Sequence, residues 1–169
     1  MAVLSIVQLG DPILREPTIP VRRFDRVLGR LIDDMTETMR DAPGVGLAAN
    51  QIGRSERVCV IEINRRHIEL VNPVLTRTDG TQTDLEGCLS VAGFYGETAR
   101  AERASVTGFD RRGRPIRVTG RGFLARALQH ELDHLDGRLY VDHLTSIDLL
   151  RRVGDDGVLE DDEPGADVP

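Results

Sequence analysis

At 169 residues the chain is long enough for one domain whose hydrophobic core needs no disulfide staples, and its two cysteines fit a reducing, cytoplasmic setting. Its 40% hydrophobic residues include no run long enough to cross a bilayer, and the opening MAVLSIVQLGDP lacks the basic start and apolar stretch of a secretory signal. The net charge of -6 comes from residues 153–169, which hold Asp155, Asp156, Glu160, Asp161, Asp162, Glu163 and Asp167 and no base, leaving the rest near neutrality.

Residues 25–40 carry Val27, Leu31 and Met35 at four-residue spacing with Leu28, Ile32 and Met39 beside them, which predicts an amphipathic helix capped by Asp25. It ends before Pro43 and gives way to PGVGLAANQIG, too rich in glycine for a helix interior. The β-branched run at 57–63 predicts a strand in which Cys59 is a small buried hydrophobe. Residues 68–75 predict another strand, with Pro73 favouring an edge or a bend. Segments 103–109 and 114–118 flank Asp110-Arg-Arg-Gly113 as the arms of a hairpin. A second helix is predicted over 121–135, its apolar stripe formed by Leu124, Leu128, Leu132 and Leu135, with Gly137 ending it. Helix, several strands, then helix, without regular alternation, implies a single α+β domain over residues 1–150. The Gly/Asp/Pro-rich residues 151–169 are expected to be a loosely attached or disordered acidic tail. Paired arginines (Arg22-Arg23, Arg65-Arg66, Arg111-Arg112, Arg151-Arg152) are not interleaved with aromatics, so they predict solvated surface and no DNA contact, with only a weak RNA contact left open.

The most informative run is His-Glu-Leu-Asp-His at 130–134. On a helix His130 and His134 share one face and can grip one metal ion, while Glu131 can reach a water that the ion activates. Cys88, in Glu86-Gly-Cys-Leu-Ser90, is the candidate third ligand; thiolate plus two imidazoles leaves a fourth position open, as a catalytic metal requires. Asp133 is its rival, although at helical spacing it points past the far side of His134, toward a surface or outer contact. His67 and His143 lie outside any comparable spacing. Amide hydrolysis also needs donors for a developing oxyanion, and the segment 44–51 offers close-approaching backbone amides and the Gln51 side chain. A phosphate loop is disfavoured there because no Gly-Lys-Ser/Thr follows. Two other readings of these residues stay open: a general metallopeptidase, which shares His-Glu-x-x-His but needs no Cys88, and a non-catalytic zinc-stabilised binding domain.

Taken together, GVGLAANQ at 44–51, EGCLS at 86–90 and HELDH at 130–134, in this order, resemble the peptide deformylase family, and the resemblance covers residues 5–150. It implies antiparallel or mixed sheets packed around a central metal-binding helix. The implied activity is removal of the N-formyl group from the initiator methionine of nascent polypeptides, with release of formate. It further implies that Cys88, His130 and His134 hold one divalent ion, ferrous iron first and nickel, cobalt or zinc as alternatives. Glu131 would be the general acid/base, and Gln51 with the backbone N–H of Leu89 would polarise the formyl carbonyl. Val45, Gly46, Gly87, Phe123 and Ala127 would bind an extended peptide and its methionine side chain near His130. Glu86 would stand behind the ligands, with Arg100 as its partner. The expected enzyme is a cytoplasmic monomer, free of membrane, that meets formylmethionyl peptides and nascent chains, with a transient ribosome contact. Two departures stand out. Val91-Ala92-Gly93 replaces a run that commonly contains proline, and Arg126 stands where an apolar residue is common. Arg126 would either line the pocket entrance and alter substrate preference or point outward as a surface charge. The chain also lacks the extended basic C-terminal helix that helps some members sit on the ribosome.

Overall fold

The computed structural model describes residues 2–153. The helix α1 (Arg26–Asp41) starts where expected, the Asp25 carboxylate accepting from the backbone N–H groups of Val27 and Leu28 at 2.9 and 3.2 Å. Its buried stripe runs through Leu28, Leu31, Ile32, Met35 and Met39. Val27, expected on that stripe, is 57% exposed. At 3.6 residues per turn it is rotated by about 100° from the centre of the other five, so it misses the core.

Five strands form one sheet in the order β1 (Gly46–Ala48), β2 (Val58–Ile63), β3 (Arg66–Asp79), β6 (Arg103–Phe109), β7 (Pro115–Arg121), with every neighbouring pair antiparallel. The helix α2 (Gly122–Leu135) follows β7 directly. Alternation along β2 explains its unbroken apolar character: Val58 and Val60 pack with α1, whereas Cys59 and Ile61 pack with Leu128, Leu132 and Leu135 of α2. The two helices therefore cover opposite faces of the sheet. Burial pushes the Cys59 thiol well above its usual pKa, consistent with a packing role.

Strand β3 is longer than its apolar segment because its far end, from Leu75 to Asp79, is held by pairing with β6 despite exposure. Although β3 is central in the strand order, β2 ends at Val58 opposite Val71, so Pro73 sits at a local edge on that side and at a bend in the ladder on the other. The ladder skips from Val71 to Val74, and proline occupies the gap where no amide donor is needed. Gly108 makes this possible, since a side chain there would meet the Val71 carbonyl at 2.9 Å.

A second, three-stranded antiparallel sheet, β4 (Gln82–Cys88), β5 (Val91–Arg100) and β8 (Arg151–Arg152), was not visible in the sequence pattern. Gly137 ends α2 at a φ of +74°, where a Cβ would also strike the Arg15 carbonyl at 2.5 Å. Arg151 and Arg152 pair with β5 and the Val153 N–H donates to the Gly93 carbonyl, so the first residues of the tail expected at 151–169 belong to the sheet; the rest lies outside the described residues. Among the described residues no helix is long and apolar enough to cross a membrane.

Candidate metal centre

Helix α2 carries His130 and His134 one turn apart, and burial of the leucine face against the sheet holds both rings in place. Their Nε2 atoms are 3.1 Å apart, and Cys88 Sγ, at the end of β4, lies 3.2 Å from His134 Nε2. The three ligand atoms fall within 4.8 Å of one another. Their chemistry fits a borderline-soft divalent ion: one sulfur from β4 and two imidazole nitrogens from α2 converge. The charged surroundings of the two rings fit as well. Burial alone would lower the His130 pKa, but the neighbouring Cys88 and Glu86 outweigh it and raise it; burial drives His134, 1% exposed, well below its usual value. The Cys88 and Glu86 groups that favour positive charge at His130 would equally favour a bound cation. Asp133 is not a ligand and is not at the surface. It is buried, accepting from Arg100 Nη1 at 2.5 Å and lying 2.6 Å from His143 Nε2.

Glu86 stands behind His130. Its Oε1 meets His130 Nδ1 at 2.5 Å and accepts from Arg100 Nη2 at 2.6 Å. Its Oε2 accepts from Arg100 Nε, the Thr98 hydroxyl and Arg126 Nη1 at 3.1, 2.7 and 2.7 Å. Burial opposes the charge, but His130 and Arg100 hold the carboxyl far below the usual carboxylate range. An ionised Glu86 keeps hydrogen on Nδ1 and so turns the Nε2 lone pair toward Cys88.

Glu131 is buried, and its Oε2 has no hydrogen-bond partner among the described residues. Burial first, and the Glu86 charge after it, push its pKa up to about 7 against the pull of His130 and Arg100. The carboxylate rests over Gly46, where any Cβ would collide with Glu131 Oε1. This contact explains the second glycine of the 44–51 segment. Gln51 is oriented by the Ala48 N–H, which donates to its Oε1 at 2.8 Å. Its Nε2 is thereby aimed at Ser90 Oγ (3.2 Å) and Cys88 Sγ (3.5 Å).

These groups border a cavity of about 460 Å³, lined by Val45, Gly46, Gln51, Glu86, Gly87, Cys88, Leu89, Phe123, Ala127, His130 and Glu131. Arg100 is not on its wall but behind Glu86. Arg126 borders the cavity, as one of its two expected placements had it, but it does not point outward: it is 3% exposed, and its guanidinium faces Glu86 and Thr98. The sequence reading did not single out Thr98 or Asn50, whose Nδ2 donates to the His134 carbonyl at 2.5 Å. Asn50 is adjacent to Gln51 in the glycine segment, so position alone could have drawn attention to it, whereas nothing in the sequence around Thr98 marks it out.

Three converging donors open toward a cavity, with a carboxylate of raised pKa beside them, are the equipment of a hydrolase that works through a metal ion. Comparison with known proteins narrows the class. The family model for polypeptide deformylase matches residues 3–149. Peptide deformylase of Heliobacterium modesticaldum is 52% identical over 144 residues, 85% of this chain and 95% of the relative. That of Pelotomaculum thermopropionicum is 50% identical over 150 residues, covering 89% and 97%. Among solved structures, the peptide deformylase from Legionella pneumophila superimposes with a TM-score of 0.84 at 47% identity, covering 86% of this chain and 88% of that one. The Synechococcus elongatus enzyme in complex with actinonin gives 0.83 at 40% identity, covering 85% and 82%. The chain belongs to the polypeptide deformylase family and is a metal-dependent deformylase.

Proposed function

We infer that the protein removes the formyl group from the N-terminal methionine of formylmethionyl peptides and nascent chains, with Cys88, His130 and His134 holding one divalent ion. Ferrous iron is the proposed ion, with nickel, cobalt or zinc as alternatives, since a thiolate and two imidazoles suit them all. The observation that carries this reading is the buried Glu131 carboxylate beside the three converging donors at the cavity wall.

A divalent ion at that site would act as a Lewis acid toward a carbonyl and would lower the pKa of a water molecule. Glu131 takes the proton of the attacking water, and its raised pKa makes it a stronger base for that step than an ordinary carboxylate. The water oxygen adds to the formyl carbon and the carbon–nitrogen bond breaks. Glu131 returns the proton to the departing nitrogen, so that formic acid and a free amine result, and the acid loses its remaining proton to water as formate. Gln51 Nε2 and the Leu89 N–H are the proposed donors to the formyl oxygen as negative charge grows on it. β1 is an edge strand, paired only with β2, so Gly46 can offer backbone groups to an extended peptide on its open side. The methionine side chain then enters the cavity between Val45, Gly87, Phe123 and Ala127.

We further propose a cytoplasmic monomer whose catalytic domain runs past residue 150 to take in β8, and a transient ribosome contact. Formate release from a formyl-Met peptide, measured on anaerobically prepared protein alongside its metal content, tests the reading. Release is expected from the formylated peptide, with no internal cleavage of its unformylated equivalent. Metal-loaded protein that releases no formate refutes the assignment.

A further inference from the structure

We propose that Arg126 is a positioning residue for the metal centre, fixing the Glu86 carboxylate that aims His130 and tying the Cys88 hairpin to the histidine helix. The proposal rests on the metal-ligand reading above.

Arg126 lies one helical turn before His130, on the same face of α2. Its Nη1 donates to Glu86 Oε2 at 2.7 Å and to the Thr98 hydroxyl at 2.6 Å, and both Nη1 and Nη2 donate to the Thr98 carbonyl at 3.1 Å. Glu86 is on β4, two residues before Cys88, and Thr98 is on β5, the partner of β4. One planar guanidinium thus bridges the helix that carries two ligands and the hairpin that carries the third. A lysine offers a point charge and cannot reproduce this fork.

Arg100 does not duplicate the function. It grips Glu86 with Nε and Nη2, but its Nη1 is engaged by Asp133 at 2.5 Å, so it serves two carboxylates. Among the buried groups, Glu86 and Asp133 face Arg100 and Arg126, while the exposed Arg138 reaches only Asp133, at 3.2 Å, and leaves Glu86 to the two buried arginines. Without Arg126, Glu86 Oε2 loses a cationic donor and Thr98 loses the group that holds its hydroxyl toward Glu86. The carboxylate is then free to pivot, and His130 Nδ1 pivots with it.

The test compares Arg126→Met and Arg126→Lys with the parent protein, each loaded with Co²⁺. Three quantities are followed: the Co²⁺ ligand-field spectrum, the rate of Co²⁺ release to a chelator, and kcat and KM on a formyl-Met peptide. Arg126→Met is expected to release Co²⁺ about 10- to 100-fold faster, the usual effect of removing a group that orients a metal ligand. Its spectrum should shift, and kcat should fall while KM stays within about twofold, with Arg126→Lys only partly restored. A folded Arg126→Met protein with parental spectrum and release rate overturns the proposal. Thr98→Val and Thr98→Ser decide the matter without changing charge, which matters if Arg126→Met does not fold. Valine should speed Co²⁺ release and serine should restore it; parental release from Thr98→Val overturns the proposal. The metal readouts do not depend on which amide is cleaved, so they are separable from a failure of formate release.

Discussion

Replacing Gly46 with alanine puts one methyl group into the space that the Glu131 carboxylate occupies. The new Cβ would overlap Glu131 Oε1, with Cδ at 2.8 Å and Cγ at 3.1 Å, all inside ordinary carbon contact distance. Gly46 is in extended strand β1 and is not among the positive-φ glycines, so its backbone accepts alanine and the cost falls on the side chain opposite. The carboxylate must retreat by about 1 Å to restore van der Waals separation. Overpacking of this size costs about 1–3 kcal/mol of stability, which a domain of this length survives. A misplacement of about 1 Å in a proton-transfer group costs about 100-fold in rate. Gly46→Ala should therefore fold, keep its metal and lose about two orders of magnitude in kcat. Steady-state formate release, metal content and a thermal melt on the same preparation measure all three. A kcat within twofold of the parent would show that the position of Glu131 over Gly46 does not matter to the chemistry.

Glu131→Gln should keep the metal and lose about 10²- to 10⁴-fold in kcat, the usual contribution of a general acid–base group; retained activity with metal bound refutes the role. Because burial raises the Glu131 pKa to about 7 and a bound cation favours the carboxylate, kcat/KM should rise with pH along an acidic limb whose apparent pKa is no higher than about 7. A limb well above that value contradicts the assignment. In metal-free protein the raised pKa means that the folded state holds the proton more tightly than the unfolded chain. Stability relative to Glu131→Gln should then be greatest below pH 4.5 and fall as pH rises toward about 7, which denaturant titrations at several pH values will show. A flat difference across that window refutes it. Asp25→Ala removes the carboxylate that accepts from Val27 and Leu28, and should cost about 1 kcal/mol, visible as a Tm lowered by about 2–4 °C with kcat unchanged. An unaltered Tm would mean that water replaces the cap at no cost.

Elements that advertise themselves by local periodicity were legible in the sequence. The helices at 26–41 and 122–135 and the hairpin at 103–121 combine a regular apolar pattern with a cap, a stop or a turn signal. The β4–β5 hairpin was not. Gln82 to Arg100 is mostly polar and glycine-bearing, and only Glu86, Ser90, Val91, Gly96, Thr98 and Arg100 are buried in it, mainly against one another and the metal side of α2. Its strands are held by pairing and by ionic contacts across space, which leave no two-residue alternation of apolar side chains to find. Pro73 shows the same limit from the other side. Its strand is central in the sheet order, yet β2 has already ended opposite Val71, and the skip between Val71 and Val74 frees the β6 side as well, so no ladder needs its amide.

At the site, residue type and spacing led to Cys88, His130 and His134, because metal ligation draws on few side chains and a helix places i and i+4 together. Spacing specifies a face but not what the face meets, and Arg126 is the clearest instance. Four residues from His130, it was bound to share that histidine's side of the helix, yet an arginine on an otherwise apolar surface is ordinarily a solvent-facing group. Only the arrival of Glu86 and Thr98 from the other sheet makes its burial tolerable, since they supply acceptors and an opposite charge. Asp133 follows the same logic. Placed on the far side of His134 by helical geometry, it is drawn inward by Arg100 and His143, which arrive from β5 and from the chain after α2. Buried ionic partners are long-range facts, set by which elements meet across the fold, so a histidine motif can be read locally while the charges that orient it cannot.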